Sequence, residues 1–127
     1  MVEEIRLIGT TSADGIATIA AERVVYGYLD RVTWVVGDLA IGVDAVLSIT
    51  LTPAGVDETL LTLTNADANA VYYPRALVHD AAGTALTGTS GGDRTRPLIF
   101  GTLSLAIAAG GATKTGGAIV YVENVNH

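Results

Sequence analysis

Apolar residues recur at alternate positions in several short stretches of this 127-residue chain, and no stretch carries a sustained helical period. Between Asp44 and Thr52, Ala45, Leu47, Ile49 and Leu51 alternate with Asp44, Val46, Ser48, Thr50 and Thr52. A period of two belongs to a strand with one face in the core. Thr59 to Thr64 follows the turn-rich Pro53-Ala54-Gly55-Val56-Asp57, so the two runs read as a β-hairpin with a loop of about five or six residues. Upstream, Val24 to Val36 is a β-branched and aromatic run in which Val24, Tyr26, Tyr28, Val32, Trp34 and Val36 share a parity that Asp30 interrupts. A charge at that point predicts a bend or bulge around Leu29-Asp30-Arg31 in one long strand, in preference to two strands joined by a tight turn.

Downstream, Ala70 to His79 is predicted to break at Pro74, because proline cannot donate to a ladder. Asp80 to Gly83 reads as a turn and Thr84 to Thr87 as a short return. Leu98 to Ala108 alternates again with Ile99, Leu103, Leu105 and Ile107 inward, Gly110 to Gly117 is a glycine-rich connection, and Ala118 to Glu123 is the last strand. Ile5 to Ile8 and Ile16 to Ala20 are weaker strands, and the alanine-rich Gly15 to Arg23 admits a helix as its alternative. About eight strands separated by turn signals predict an all-β fold, a single-domain β-sandwich of jelly-roll type over residues 1–127. Within it, residues 1–15 are a candidate N-terminal arm able to swap onto a neighbour, and residues 88–97 a flexible loop.

Composition changes that picture in one respect. Charged residues make up 16% and apolar residues 50% of the chain, against about 25% charged in an ordinary soluble domain. A small domain with so little charge is expected to bury part of its surface in an assembly; sixteen Thr and fifteen Gly offer a neutral solvated surface as the plainer alternative. The net charge is −6, with Lys114 the only lysine and six scattered arginines, which disfavours nucleic acid as a partner because phosphate neutralisation needs a basic cluster. The start, Met1-Val2-Glu3-Glu4, is acidic and no apolar run approaches the roughly 20 residues of a membrane span. Synthesis as a soluble cytoplasmic product and no membrane partner are therefore expected. The chain has no cysteine, which excludes disulfides and thiolate metal sites.

No candidate chemistry survives its own spacing test. Asn65, Asp67 and Asn69 alternate like the first half of a calcium loop, but Ala70 and Ala76 stand where such a loop needs Gly and Glu. Gly110-Gly111-Ala112-Thr113-Lys114-Thr115 suggests a phosphate loop, yet Thr113 replaces the glycine before the lysine and strand residues follow. His79 sits beside Asp80, which cannot orient it along an extended strand, and Ser12, Ser48, Ser90 and Ser104 lie in no nucleophile turn. Asp57-Glu58 and Glu3-Glu4 are separated by the same alternation. Tyr26, Tyr28, Trp34, Tyr72 and Tyr73 would make a sugar-stacking platform if several faced outward together; core or subunit contacts are the commoner use of such residues. No catalytic residue, cofactor or metal is expected, and the chain reads as a non-enzyme.

Tyr26-Gly27-Tyr28-Leu29, Val71-Tyr72-Tyr73-Pro74-Arg75 with Val78-His79-Asp80 and Gly83 to Leu86, and Gly101-Thr102-Leu103 resemble a group of small tailed-bacteriophage virion proteins. The resemblance runs in order from about Val24 to Val122, and its most specific element is the Tyr-Tyr-Pro-Arg segment leading into Val-His-Asp. It implies a β-sandwich subunit that decorates or cements the outside of a capsid, as a homo-oligomer, a trimer being favoured, with the major capsid protein as partner and the virion exterior as location. An acidic chain suits that outer face. The candidate interface residues are Tyr72, Tyr73, Arg75, Arg94, Arg96 and Trp34, with Arg94 and Arg96 placed to meet a carboxylate of a neighbouring subunit. The alternatives are a neck or tail adaptor of the virion, and a carbohydrate-binding module of a host-recognition structure.

Overall fold

The computed structural model describes residues 2–51, 55–77 and 94–124. Ten strands follow in order: β1 (Val2–Thr10), β2 (Ala17–Ala20), β3 (Val25–Val35), β4 (Asp44–Leu51), β5 (Val56–Leu63), β6 (Ala70–Tyr72), β7 (Ala76–Leu77), β8 (Arg94–Thr95), β9 (Leu98–Ala108) and β10 (Thr115–Asn124). All pairings are antiparallel. Eight strands form one hydrogen-bonded path, and β7 and β8 pair separately.

That path folds over on itself. One layer runs β1-β10-β3-β6 and the other β2-β9-β4-β5, joined where Val25 to Tyr28 of β3 pair with Leu98 to Gly101 of β9. Among the eight strands every connection except the β4–β5 hairpin crosses from one layer to the other. Such wiring makes an eight-stranded jelly-roll sandwich. Val32, Trp34 and Ala118 from the first layer meet Ala45, Leu47, Leu63 and Leu105 from the second, so both inner faces share one core. At the corner, Gly101 has φ +150°, and a Cβ there would run into the carbonyl oxygen of Thr50. Only glycine lets the two backbones approach so closely.

Alternation dictates most of this. On β9, Ile99, Leu103, Leu105 and Ile107 are buried, and on β4, Ala45, Leu47 and Ile49. The segment that admitted a helix holds strand β2 instead, paired to β9 from Ala17 opposite Ile107 to Ala20 opposite Ser104. β5 begins at Val56, three residues before the predicted start, and β10 takes in Thr115 to Gly117 from the predicted glycine connection. The run Val24 to Val36 is one strand with a bulge, but its parity differs from expectation. Arg31 stands opposite Tyr121 and Leu29 opposite Val122, so Asp30 is an extra residue without a partner. Val32 and Trp34 point inward beyond the bulge, whereas Val25 and Leu29 point inward before it. Tyr26 and Tyr28 are consequently turned to solvent.

Residues 1–15, the candidate arm, contain β1, which pairs with β10 of the same chain over nine registered positions. Of residues 88–97, Arg94 and Thr95 form β8 against Leu77 and Ala76, and residues 88–93 lie outside the described residues. The predicted turn Asp80 to Gly83, the return Thr84 to Thr87 and His79 also lie outside them.

Candidate functional site

The bulge in β3 gathers charge and aromatic rings at one place. Asp30 accepts a hydrogen bond from Arg31 at 2.8 Å and lies 3.6 Å from Arg96, and Arg96 also donates to Glu123 on β10. Glu123 faces Tyr28 across the ladder. The hydrogen bond to Glu123, reinforced by Asp30, raises the Arg96 pKa above its ordinary value. Arg75, on the far side of Pro74, donates to the carbonyl oxygens of Asp30 at 3.1 Å and Pro74 at 2.7 Å. Each of these arginines lies over a ring: Arg31 on Tyr121 at 4.3 Å, Arg96 on Tyr28 at 5.2 Å and Arg75 on Tyr73 at 5.9 Å. At such distances the ring quadrupole attracts the cation.

Beside this cluster the corner of the sandwich exposes a set of large apolar side chains. Tyr26 pairs with Phe100 and Tyr28 with Leu98, and all four are exposed, Leu98 by 54% and Phe100 by 46%. The rings of Tyr26 and Phe100 meet edge to face, 5.3 Å apart at 64°. One contiguous surface therefore runs from Phe100 and Tyr26 through Leu98 and Tyr28 to Arg96, Glu123 and Arg31. Contiguous exposed apolar patches of this kind mark interaction sites. The described part of the cluster contains no nucleophile held by a base.

The residues predicted to form an interface divide. Tyr73, Arg75 and Arg96 join this surface, and Tyr72 is half-buried against the core. Arg94 takes part in β8 opposite Leu77. Trp34 is a correction. Its ring is fully buried, with Nε1–H donating to the carbonyl oxygen of Ala66 at 2.9 Å, because the bulge sends this half of β3 inward. It belongs to no outward platform. Tyr121, Asp30, Arg31 and Glu123 were not anticipated. Phe100 and Leu98 were legible, since Ile99 inward puts both neighbours outward.

The other candidate motifs serve the fold. Asp67 accepts from the Gly42 amide at 2.6 Å, and Asn69 from that of Val36 at 2.9 Å. The Asn65 amide donates to Asp44 at 3.0 Å. The alternating oxygens thus tie loops together, and no group of three or more potential ligands is close enough to hold a metal ion among the described residues. In the Gly110 to Thr115 loop, the amides of Gly110, Thr113, Lys114 and Thr115 donate to Gly15, Ser12, Thr11 and Asp38. Those donors are spent on the protein, and the loop carries the chain from β9 in one layer to β10 in the other rather than opening a helix. Glu3 pairs with Arg23 at 2.8 Å and Glu4 with Arg6 at 3.4 Å, while Asp57 accepts from the Thr50 hydroxyl at 2.6 Å.

No protein-family model matches the chain, and no curated protein matches its sequence. Among solved structures it is similar to CBM32-3 from a family 31 glycoside hydrolase of Clostridium perfringens, at 14% identity and TM-score 0.41, covering 92% of this chain and 75% of that one. It is also similar to CBM28, a carbohydrate-binding module specific for non-crystalline cellulose, at 9% identity and TM-score 0.36, covering 92% and 71%. A third likeness, to the structure of infectious bursal disease virus Gx strain, has 14% identity and TM-score 0.33, and covers 99% of this chain and 38% of that one. These likenesses are too loose to bear on function. What the chain's own pairing establishes is its fold, an antiparallel β-sandwich with jelly-roll wiring.

Proposed function

We propose that this chain is a structural subunit of a bacteriophage virion that attaches to the outside of the capsid and stabilises it, with the major capsid protein as its partner. The observation that carries the reading is the open surface of Tyr26, Tyr28, Leu98 and Phe100 rimmed by Arg31 and Arg96. Tyrosine, phenylalanine and arginine are the residues enriched at protein–protein contacts and their energetic centres. The jelly roll recurs in viral shells and in lectins alike, so fold alone does not choose between those uses. The Tyr72-Tyr73-Pro74-Arg75 resemblance and the acidic net charge support the shell. Binding only to the assembled particle stabilises it by mass action.

Mass spectrometry of purified particles tests the reading directly: the polypeptide is expected in them, and particles stripped of it are expected to lose integrity at lower temperature. Its absence from the particle would sink the proposal. Cryo-electron microscopy of the same particles separates a capsid position from the neck or tail.

A second reading, a carbohydrate-binding module, draws on the same exposed rings. Stacking on a sugar needs open ring faces, and here Tyr26 and Phe100 meet edge to face while guanidinium groups lie over one face of Tyr28 and of Tyr121. That arrangement favours a protein partner. Glycan-array binding abolished by Tyr26→Ala or Phe100→Ala would reverse the order of the two readings.

A further inference from the structure

The first layer ends in the edge strands β1 and β6, the second in β2 and β5. An edge strand presents backbone donors and acceptors that its own sheet leaves unpaired, and such edges are ordinarily kept short, charged or covered. β6 is three residues long and β2 four. β5 is longer but carries Asp57 and Glu58 without a basic residue, so two copies of it repel. β1 has nine residues, pairs with β10 alone among the described residues, and exposes one charge of each sign, Glu4 and Arg6, on its outer face.

The far end of β1 shows which of its backbone groups stand free. The Thr11 amide donates to the Lys114 carbonyl at 2.8 Å, while Thr115 turns both its amide and its carbonyl to Asp38, on the other side of β10. Hydrogen-bonded and non-bonded pairs alternate along an antiparallel ladder. Counted back through the unbroken register, Gly9, Leu7, Ile5 and Glu3 bond to β10, and Ile8, Arg6, Glu4 and Val2 point their amides and carbonyls outward. Beside this free edge lies a groove of about 380 Å³ between Glu4, Ile5 and Arg6 and residues 19–23.

We propose that β1 is a self-association edge, along which a second copy of this chain lays its own β1 antiparallel about a two-fold axis at Ile5. The free groups all sit on even-numbered residues, so the partner strand must set even positions against even. Charge then selects the register. With Ile5 opposite Ile5, Glu4 faces Arg6 of the second copy, Arg6 faces its Glu4, and Val2 meets Ile8. Sliding two residues either way sets Glu4 against Glu4 or Arg6 against Arg6, and like charges directly opposite are destabilising. A two-fold contact requires a patch complementary to itself, which the order Glu4-Ile5-Arg6 supplies. Within one chain these two side chains are exposed and loosely paired at 3.4 Å. Glu3, inward at the start of the strand, is held by Arg23 at 2.8 Å, and Glu22 is the one further charge lining the groove. In edge pairing the main-chain hydrogen bonds give affinity and alternate side chains give specificity, so a modest contact area suits a reversible dimer. The two-fold uses both β1 edges, and association stops at two copies. The proposal is independent of the virion reading, because it concerns the purified chain alone.

Sedimentation equilibrium of the full chain from about 10 μM to about 1 mM tests it. A monomer–dimer equilibrium is expected. Glu4→Arg and Arg6→Glu each set like charges opposite one another at two positions, and each is expected to raise the dissociation constant at least about 10-fold. The double variant exchanges the two charges and is expected to dimerise within about 3-fold of the original chain. Circular dichroism confirms that each variant is folded. Amide hydrogen exchange of the original chain adds a readout that needs no variant: protection at Glu4 and Arg6 is expected to rise with protein concentration. A chain monomeric at about 1 mM, a species larger than a dimer, folded single variants that dimerise as tightly as the original, a folded double variant as weak as the single ones, or Glu4 and Arg6 amides indifferent to concentration would each overturn the proposal.

Discussion

At the scale of single residues, stability rests on a few polar groups placed inside an apolar core. Trp34 fills the centre and pairs its indole N–H with the Ala66 carbonyl, which fixes the loop before β6 against β3. Trp34→Phe keeps most of the packing but leaves that carbonyl without its donor. A loss of about 1–3 kcal/mol is expected, read as a lower urea midpoint at unchanged m-value. Thr11 is buried to 3% exposure, its hydroxyl donating to the Gly111 carbonyl and accepting from the Lys114 amide. A valine there is expected to cost a similar amount. Glycines make a sharper comparison. Gly55 and Gly101 both have positive φ, but a Cβ at Gly55 meets open space while one at Gly101 meets the Thr50 carbonyl. Gly55→Ala is expected to cost about 1 kcal/mol and Gly101→Ala several times more, measured by thermal or urea denaturation of the two variants in parallel. None of these roles is visible in composition. An isolated Thr or Gly becomes decisive only once strands distant in sequence approach it.

The element that most shapes the surface is β3. Its bulge consumes one residue, Asp30, and so exchanges the faces of everything before it. The apolar parity that joins Tyr26 and Tyr28 to Trp34 in the sequence is real, but it belongs to two different faces of the sandwich. Deleting Asp30 would set Leu29 directly beside Arg31 in a regular ladder, with Val25 and Leu29 still inward and Tyr26 and Tyr28 still outward. The deletion variant is therefore expected to keep its cooperative unfolding transition, read by urea denaturation. Asp30→Ala keeps the extra residue and removes only a partly exposed carboxylate shared by Arg31 and Arg96, so a cost of at most about 1 kcal/mol is expected by the same measurement. Loss of the transition in the deletion variant would show that Asp30 does more than fill the extra position of the bulge.

Over the whole molecule, what is exposed matters more than what is buried. The corner patch of Tyr26, Tyr28, Leu98 and Phe100 lies apart from the core, so Phe100→Ser is expected to change unfolding free energy by no more than about 0.5 kcal/mol. Under the proposed function the same substitution weakens attachment to particles about 30-fold or more, as for an energetic centre of an interface, read by co-sedimentation. A large loss of stability would instead make Phe100 a packing residue. Low charge and negative sign were legible from the chain, and so were the strands themselves. Alternation is local, and the side-chain period of a strand forces Ile99, Leu103, Leu105 and Ile107 to one face whatever surrounds them. By itself the sequence therefore determined the all-β class, most strand positions, and the inward set on β4 and β9. Only the tertiary structure decided which strands pair, since Thr10 meets Thr115 across most of the chain, and only cross-strand register reveals where an extra residue reverses a face. That register, rather than any motif, brought Arg31, Arg75 and Arg96 to the same corner.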